Sequence, residues 1–205
     1  MWRYNPSMYI LVGLGNPGNE YEHTRHNIGR MLVREFCVKN KLPEFIFDKK
    51  SNSLVSEGKI GVQKITALLP ETFMNKSGDA VKRFVKSKKA AETLVVVHDE
   101  LDVPLGRTKI SFNKSSGGHR GVESITKAVG TEGFIRMRVG ISPSTPGGKL
   151  KKPSGDEIVN SFILGKLSKK DEDVLTKMSK SFNLALELLI TKGKDAAMNE
   201  WNGKL

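Results

Sequence analysis

His26, in the run Thr24-Arg25-His26-Asn27, stands where an apolar-faced helix is expected to begin, and histidine is the side chain best suited to move protons near neutral pH. The partial positive charge of a helix start disfavours imidazolium, which leaves a neutral ring able to take a proton from water. Such a base gains from a carboxylate that holds its other nitrogen and stabilises the charge that develops. Asp99, directly after the apolar run 93–98, is the candidate. No Gly-x-Ser-x-Gly is present, and Cys37, the only cysteine, falls inside an apparent core helix. Water is therefore the expected nucleophile.

Asn16, Asn27 and Asn75 are turn or cap residues by type alone. Gathered beside a histidine they acquire another use, because a carboxamide both donates and accepts without carrying charge. It can hold a peptide backbone whatever the side chains are, orient water or polarise a carbonyl. Phe73 and Met74 would add apolar wall beside Asn75. Residues 113–121, NKSSGGHRG, form a glycine-rich loop ahead of a helix, where backbone N–H groups with Lys114 and Arg120 would suit a phosphate. His23, His26, His98, His119, Asp99, Glu100 and Asp102 are possible metal ligands, but none has a recognised metal spacing. Asp99-Glu100-x-Asp102 reads more simply as a solvated loop. Gly13-x-Gly15-x-x-Gly18 matches the dinucleotide fingerprint, yet Pro17, Gly18 and Asn19 continue a loop where that fingerprint needs a helix to open at once.

The elements that must position these groups follow from periodicity. Residues 8–14 and 93–98 are apolar, glycine-bounded or β-branched runs and read as buried strands. Residues 53–58 and 60–69 read as a hairpin turning near Glu57-Gly58-Lys59, and 107–113 and 134–141 alternate as strands. In the last of these Ile135, Met137, Val139 and Ile141 face one way, Arg136 and Arg138 the other. Helices are predicted over 25–39, 76–86 and 121–129, and from a Ser168-x-x-Asp171 capping box through Leu189, with a short one after Asp195. Residues 142–155, rich in Pro, Gly, Ser and Lys, read as a mobile loop. Strands interleaved with helices imply a layered α/β domain with a mixed sheet. In an open α/β sheet ligands gather at the carboxyl ends of strands, which would bring the loops of Asn16, Asn75 and Asp99 to one rim.

The chain of 205 residues suits one domain, with a core over 7–141, a basic loop over 142–156 and a helical part over 157–205. No apolar run approaches a membrane span, residues 1–7 do not resemble a secretory signal, and one cysteine allows no internal disulfide. A reducing, cytoplasmic setting is expected, with a mitochondrial one also compatible. Residues 107–152 hold ten Lys and Arg against two Asp and Glu, so this segment supplies +8 of the net +12. Charge concentrated in this way reads as a footprint for a polyanion.

The assembled motifs resemble the bacterial-type peptidyl-tRNA hydrolase family over roughly 9–201. Val12-Gly-Leu-Gly-Asn-Pro-Gly18, Tyr21-Glu-His-Thr-Arg-His-Asn-Ile-Gly29 and Pro70-Glu-Thr-Phe-Met-Asn-Lys-Ser-Gly78 carry the resemblance first. His98-Asp-Glu-Leu-Asp-Val-Pro-Leu-Gly106, Gly117-Gly-His-Arg-Gly121 and Phe134-Ile-Arg-Met-Arg-Val-Gly-Ile141 continue it. The resemblance implies a single-domain α/β/α monomer of the phosphorylase/hydrolase-like type, without metal or cofactor. It implies hydrolysis of the ester between a peptide's C-terminus and the terminal ribose of tRNA. On it, His26 is the base, Asp99 its partner, and Asn75 the residue that positions water and stabilises the oxyanion. Asn16 binds the peptide, Tyr21 and Met74 line the cleft, and Arg138 meets tRNA phosphate. Asn27 and Phe73 join the expected substrate contacts.

Three features depart from the family pattern. Arg120 replaces the usual asparagine after Gly-Gly-His, and keeps donors but no acceptor. Ser111 stands where a basic residue is common, so Lys109 or Lys114 would take over phosphate binding. The loop 142–155 looks longer and more basic than in bacterial members, which points to a eukaryotic or organellar version. The competing reading is an RNA-binding protein on the same scaffold that performs no hydrolysis, like the family's splicing relatives. Retention of His26, Asp99, Asn16 and Asn75 speaks for the enzyme, because binding alone needs none of them.

Overall fold

The structure, a computed structural model, describes residues 8–145 and 147–203; the N-terminal segment 1–7 lies outside them. In chain order the elements are β1 (Met8–Gly13), a 3-10 turn (Arg25–Asn27), α1 (Ile28–Lys39), β2 (Ile46–Asp48), β3 (Ser53–Ile60) and β4 (Gln63–Pro70). A second 3-10 turn (Met74–Lys76), α2 (Ser77–Val81), α3 (Lys88–Ala91), β5 (Leu94–Pro104) and β6 (Thr108–Phe112) follow. The chain ends through α4 (Arg120–Val129), β7 (Ile135–Ser142), α5 (Asp156–Leu164), α6 (Lys169–Lys192) and α7 (Lys194–Asn202).

The strands form one mixed sheet in the order β2-β3-β4-β1-β5-β7-β6. Its centre is parallel, β4 with β1, β1 with β5, and β5 with β7, and antiparallel strands close both ends. Strand alternation builds two cores, one on each face. Tyr9, Leu11, Val95, Val97, Ile135, Met137 and Val139 join Val33 and Phe36 of α1 and Phe182 and Leu186 of α6 on one side. Ile10, Val12, Leu94 and Val96 join Val81 of α2 and Val122 and Ile125 of α4 on the other. The result is the expected α/β/α layering.

Every strand read from the sequence is present, but several bounds moved. The hairpin turns at Gly61, which takes φ +58, rather than near Gly58, whose missing Cβ instead leaves room for Leu42 and Pro43. The central strand does not end at His98. It continues to Pro104, so Asp99 and Glu100, expected in a solvated loop, are buried within β5 at 4% and 8% exposure. Residues 25–27 form a 3-10 turn ahead of α1 rather than its first turn. The helix predicted over 76–86 is short, ending at Val81. The capping box of α6 is formed as read, with Ser168 Oγ accepting from Asp171 N at 3.2 Å and Asp171 Oδ2 accepting from Ser168 N at 3.2 Å. Residues 142–155, read as a mobile loop, include a bridge between Ser144 and Leu150 and lead into α5, which falls in the helical part expected over 157–205 but was not read as a separate helix.

One close approach sets the position of α1. A Cβ on Gly29 would lie 2.2 Å from the carbonyl oxygen of Val97, so the helix rests directly on the β5 backbone one strand residue before His98. No larger residue fits there without lifting the helix.

Candidate active site

The loops after β1 and β4, the end of β5 and the start of α4 meet at the carboxyl edge of the parallel strands, as the switch-point argument requires. They enclose an open cleft of about 740 Å³, with α5 as its far wall. Its floor carries His26 and Asp99, buried with 6% and 4% exposure. His26 Nδ1 lies 2.9 Å from Asp99 Oδ1. A carboxylate only accepts, so the proton sits on Nδ1 and the lone pair of His26 is on Nε2, the tautomer a general base needs.

His119 touches the same oxygen: its Nε2 is 2.9 Å from Asp99 Oδ1. Its other nitrogen caps α4 by accepting from the backbone N–H of Gly121 and Val122 at 3.2 and 3.3 Å. His98, fully buried, has its Nδ1 2.7 Å from the Asp99 carbonyl oxygen, while its Nε2 has no hydrogen-bond partner among the described residues. Burial first, then His119 and Arg136, push the His98 imidazole well below its ordinary range, so it is neutral. For Asp99 burial works in the raising direction. His26 and His119 outweigh it and hold the carboxyl well below its usual range.

The asparagines divide their work. Asn27 is buried and spends its whole carboxamide on the backbone of Asn16, accepting from Asn16 N at 2.8 Å and donating to Asn16 O at 2.9 Å. It is absent from the cleft lining, so the expected substrate contact becomes a brace for Asn16. Asn16 Oδ1 accepts from Met74 N at 2.8 Å, which leaves only its Nδ2 donor for the cleft. Asn75 lines the cleft, is exposed, and makes no side-chain hydrogen bond among the described residues. Met74 and Phe73 line the cleft as expected. Tyr21 does not; it meets the ring of Phe73 edge-on at 6.5 Å and supports it from outside.

Arg120 opens α4 and lines the cleft. Lys109 and Arg138 lie outside it, side by side across β6 and β7. Arg138 Nε donates to Glu100 Oε2 at 2.7 Å. Arg136, on the same sheet face, is only 3% exposed, and burial, then Arg138, pulls its guanidinium down from the ordinary value. Lys114 is exposed in the glycine-rich loop. Lys76 and Lys152 also line the cleft and had no role in the sequence reading. The same is true of α5 and of the link between Asp99 and His119, whose long-range geometry leaves no local signal.

Two alternative chemistries can be judged on this geometry. Ser116 lines the cleft, but its Oγ donates to the solvent-exposed carboxylate of Glu123 at 3.0 Å and accepts from Gly118 N at 3.1 Å, and among the described residues no histidine is hydrogen-bonded to it. The free thiol of Cys37 is buried and pushed up by burial to about 12. His26, Asp99 and His119 offer three ligand atoms within 4.8 Å of one another, the one such cluster among the described residues. With His119 Nδ1 already accepting two amides, a metal on Nε2 would have to displace the proton that ring needs.

Fold and cleft together define a layered α/β protein whose cleft at the strand ends holds a buried histidine–aspartate pair. The chain belongs to the peptidyl-tRNA hydrolase family, whose model matches residues 10–205. A peptidyl-tRNA hydrolase of Thermodesulfovibrio yellowstonii is 39% identical over 199 residues, covering 95% of this chain and 99% of the relative. One from Aquifex aeolicus is 38% identical, with 94% and 95% covered. The crystal structure of peptidyl-tRNA hydrolase from Acinetobacter baumannii superposes with a TM-score of 0.84 at 31% identity, covering 97% of this chain and 96% of that one. These relatives are bacterial and match end to end. Among the described residues no helix is long and apolar enough to cross a membrane.

Proposed function

We propose that this chain hydrolyses the ester joining a peptide to the terminal ribose of tRNA, with His26 as general base. The observation that carries the reading is the buried contact of 2.9 Å between His26 Nδ1 and Asp99 Oδ1 on the floor of a cleft edged by Asn16 and Asn75. His26 Nε2 takes a proton from water as its oxygen attacks the ester carbonyl. Asp99 steadies the imidazolium that forms. The Nδ2 donors of Asn75 and Asn16 stabilise the oxyanion and hold the last peptide unit. As the tetrahedral adduct collapses, the imidazolium returns the proton to the departing ribose oxygen, and the products are a free peptide and tRNA with an intact 3′ hydroxyl.

Phe73 and Met74 offer apolar contact to the peptide, and Arg120 a donor at the rim. Lys109, Lys114 and Arg138 supply positive charge for tRNA phosphates, so binding weakens steeply as salt rises. The enzyme works as a monomer in the cytoplasm, where drop-off during translation strands its substrate. The non-catalytic RNA-binding reading has no observation in its favour.

The test compares N-acetylated with free aminoacyl-tRNA. The blocked substrate is deacylated and the free one spared; equal rates on both overturn the assignment. His26→Ala lowers kcat on the blocked substrate by on the order of 10²–10⁴, the usual worth of a general base. A near-normal rate in that variant removes His26 from the role.

A further inference from the structure

We propose that His119 is a positioning residue, which ties the Asp99 carboxylate to the start of α4 and limits how strongly that carboxylate draws on His26. The inference rests on His26 as the base.

The tautomer of His119 is fixed by its neighbours. Two backbone N–H groups, from Gly121 and Val122, point at His119 Nδ1 at 3.2 and 3.3 Å, so that nitrogen must carry a lone pair. The ring proton is then on Nε2, 2.9 Å from Asp99 Oδ1. His26 Nδ1 reaches the same oxygen at the same distance. Two N–H donors therefore compete for one acceptor inside a buried site. Each bond to the carboxylate stabilises its charged form and makes it a weaker acceptor for the other. The rings are also packed together: His119 lies 5.0 Å from His26 and 4.7 Å from His98, with its side chain 8% exposed.

The neighbouring charges leave His119 in this office. His98 on β5 is neutral and gives its own Nδ1 proton to the Asp99 carbonyl. Glu100 on β5 is paired with Arg138 on β7. Arg136 of β7 bears on His98, Arg120 begins α4 beyond the cap, and Lys152 across the cleft is paired with Asp102. With the His119 donor present, Asp99 orients His26 without over-stabilising its protonated form. The arrangement also links chemistry to the glycine-rich loop, since His119 closes that loop and opens the helix carrying Arg120.

A pair of substitutions separates this role from capping. In His119→Asn the side-chain Oδ1 stands near the place of Nδ1, so the cap is retained and the donor to Asp99 is lost. In His119→Gln the amide reaches Asp99 and the cap is weakened. For His119→Asn the acid limb of the kcat/KM profile on N-acetylated aminoacyl-tRNA moves to higher pH by about half a unit to one unit. For His119→Gln the limb stays in place and Tm falls. An unmoved limb in a folded His119→Asn protein, or equal shifts in both variants, overturns the proposal and leaves His119 as a helix cap. If His26→Ala keeps its activity, the function reading fails first. If His26→Ala is inactive while the limb of His119→Asn is unmoved, only the present inference fails.

Discussion

The floor and the far wall of the cleft are built on opposite principles. On the floor, apart from the exposed Asn75 at its edge, the polar groups are held by one another. Asn27 grips the Asn16 backbone, Asn16 grips Met74, and His26 and His119 share Asp99, all at 2.8 to 2.9 Å and largely buried. The wall is α5, in which no residue is buried. It is fastened at its ends. Arg25 Nη1 donates to the carbonyls of Phe162, Gly165 and Lys166, while its Nη2 pairs with Asp171 at 2.9 Å. On the approach to α5, Lys152 pairs with Asp102 at 2.6 Å. Groups proposed to act on the ester gain from being fixed before substrate arrives. A wall that carries none of the groups proposed to act has no such need, and α5 rests on the core only through half-buried side chains such as Phe162 and Ile163.

The contrast can be broken from either side. The largest effect belongs to the floor. Asn27→Ala leaves the backbone N–H and C=O of Asn16 without their buried partners, at a cost of about 1–3 kcal/mol for each group in chemical denaturation. Its activity loss exceeds the loss of folded protein, because the Asn16 donor is displaced. A stable, fully active Asn27→Ala enzyme would show that the floor is not pre-set.

The next effect is in pH dependence. His98 is neutral when folded, with its affinity for protons lowered, whereas the unfolded chain binds a proton below about pH 6.5. Stability from this group is therefore complete above that pH and declines as pH falls toward the folded value, by up to about 1.4 kcal/mol per pH unit. His98→Gln flattens this decline in urea midpoints between pH 7 and 5; an unchanged slope assigns the acid sensitivity elsewhere.

The wall should respond more mildly. Arg25→Gln frees the C-terminal end of α5 and raises KM several-fold, with kcat largely kept. A kcat loss matching that of His26→Ala would mean that Arg25 holds the turn of His26 rather than the wall. Smallest is Lys152→Ala, which breaks an exposed pair and changes stability by less than about 0.5 kcal/mol. A greater change would make that ion pair a fastening in its own right.

Legibility in the sequence followed the same division. Strand alternation in 134–141 and the Ser168-x-x-Asp171 cap are local signals, and both were read correctly because burial period and capping chemistry act over a few residues. The convergence of Asn16, Asn75 and Asp99 was also legible, since parallel strands place their trailing loops on one edge. Asp99 and Glu100 were misread because a charged run within a strand looks solvated until its partners, His26, His119 and Arg138, arrive from distant segments. For α5, the Pro- and Gly-rich lead-in obscured Ile158, Val159, Phe162 and Ile163. Asn27 and Tyr21, expected at the substrate, lie one contact behind the cleft lining, against Asn16 and Phe73. Spacing along the chain does not encode which way a carboxamide turns.

The absent side chain at position 29 has a consequence beyond packing. With α1 seated on the Val97 carbonyl, the gap between the turn that carries His26 and the end of β5 is gauged by a single hydrogen atom. A methyl group there would act as a shim. It would part the imidazole from its carboxylate while every functional group survived, and an enzyme chemically complete on paper would be mis-set by one carbon.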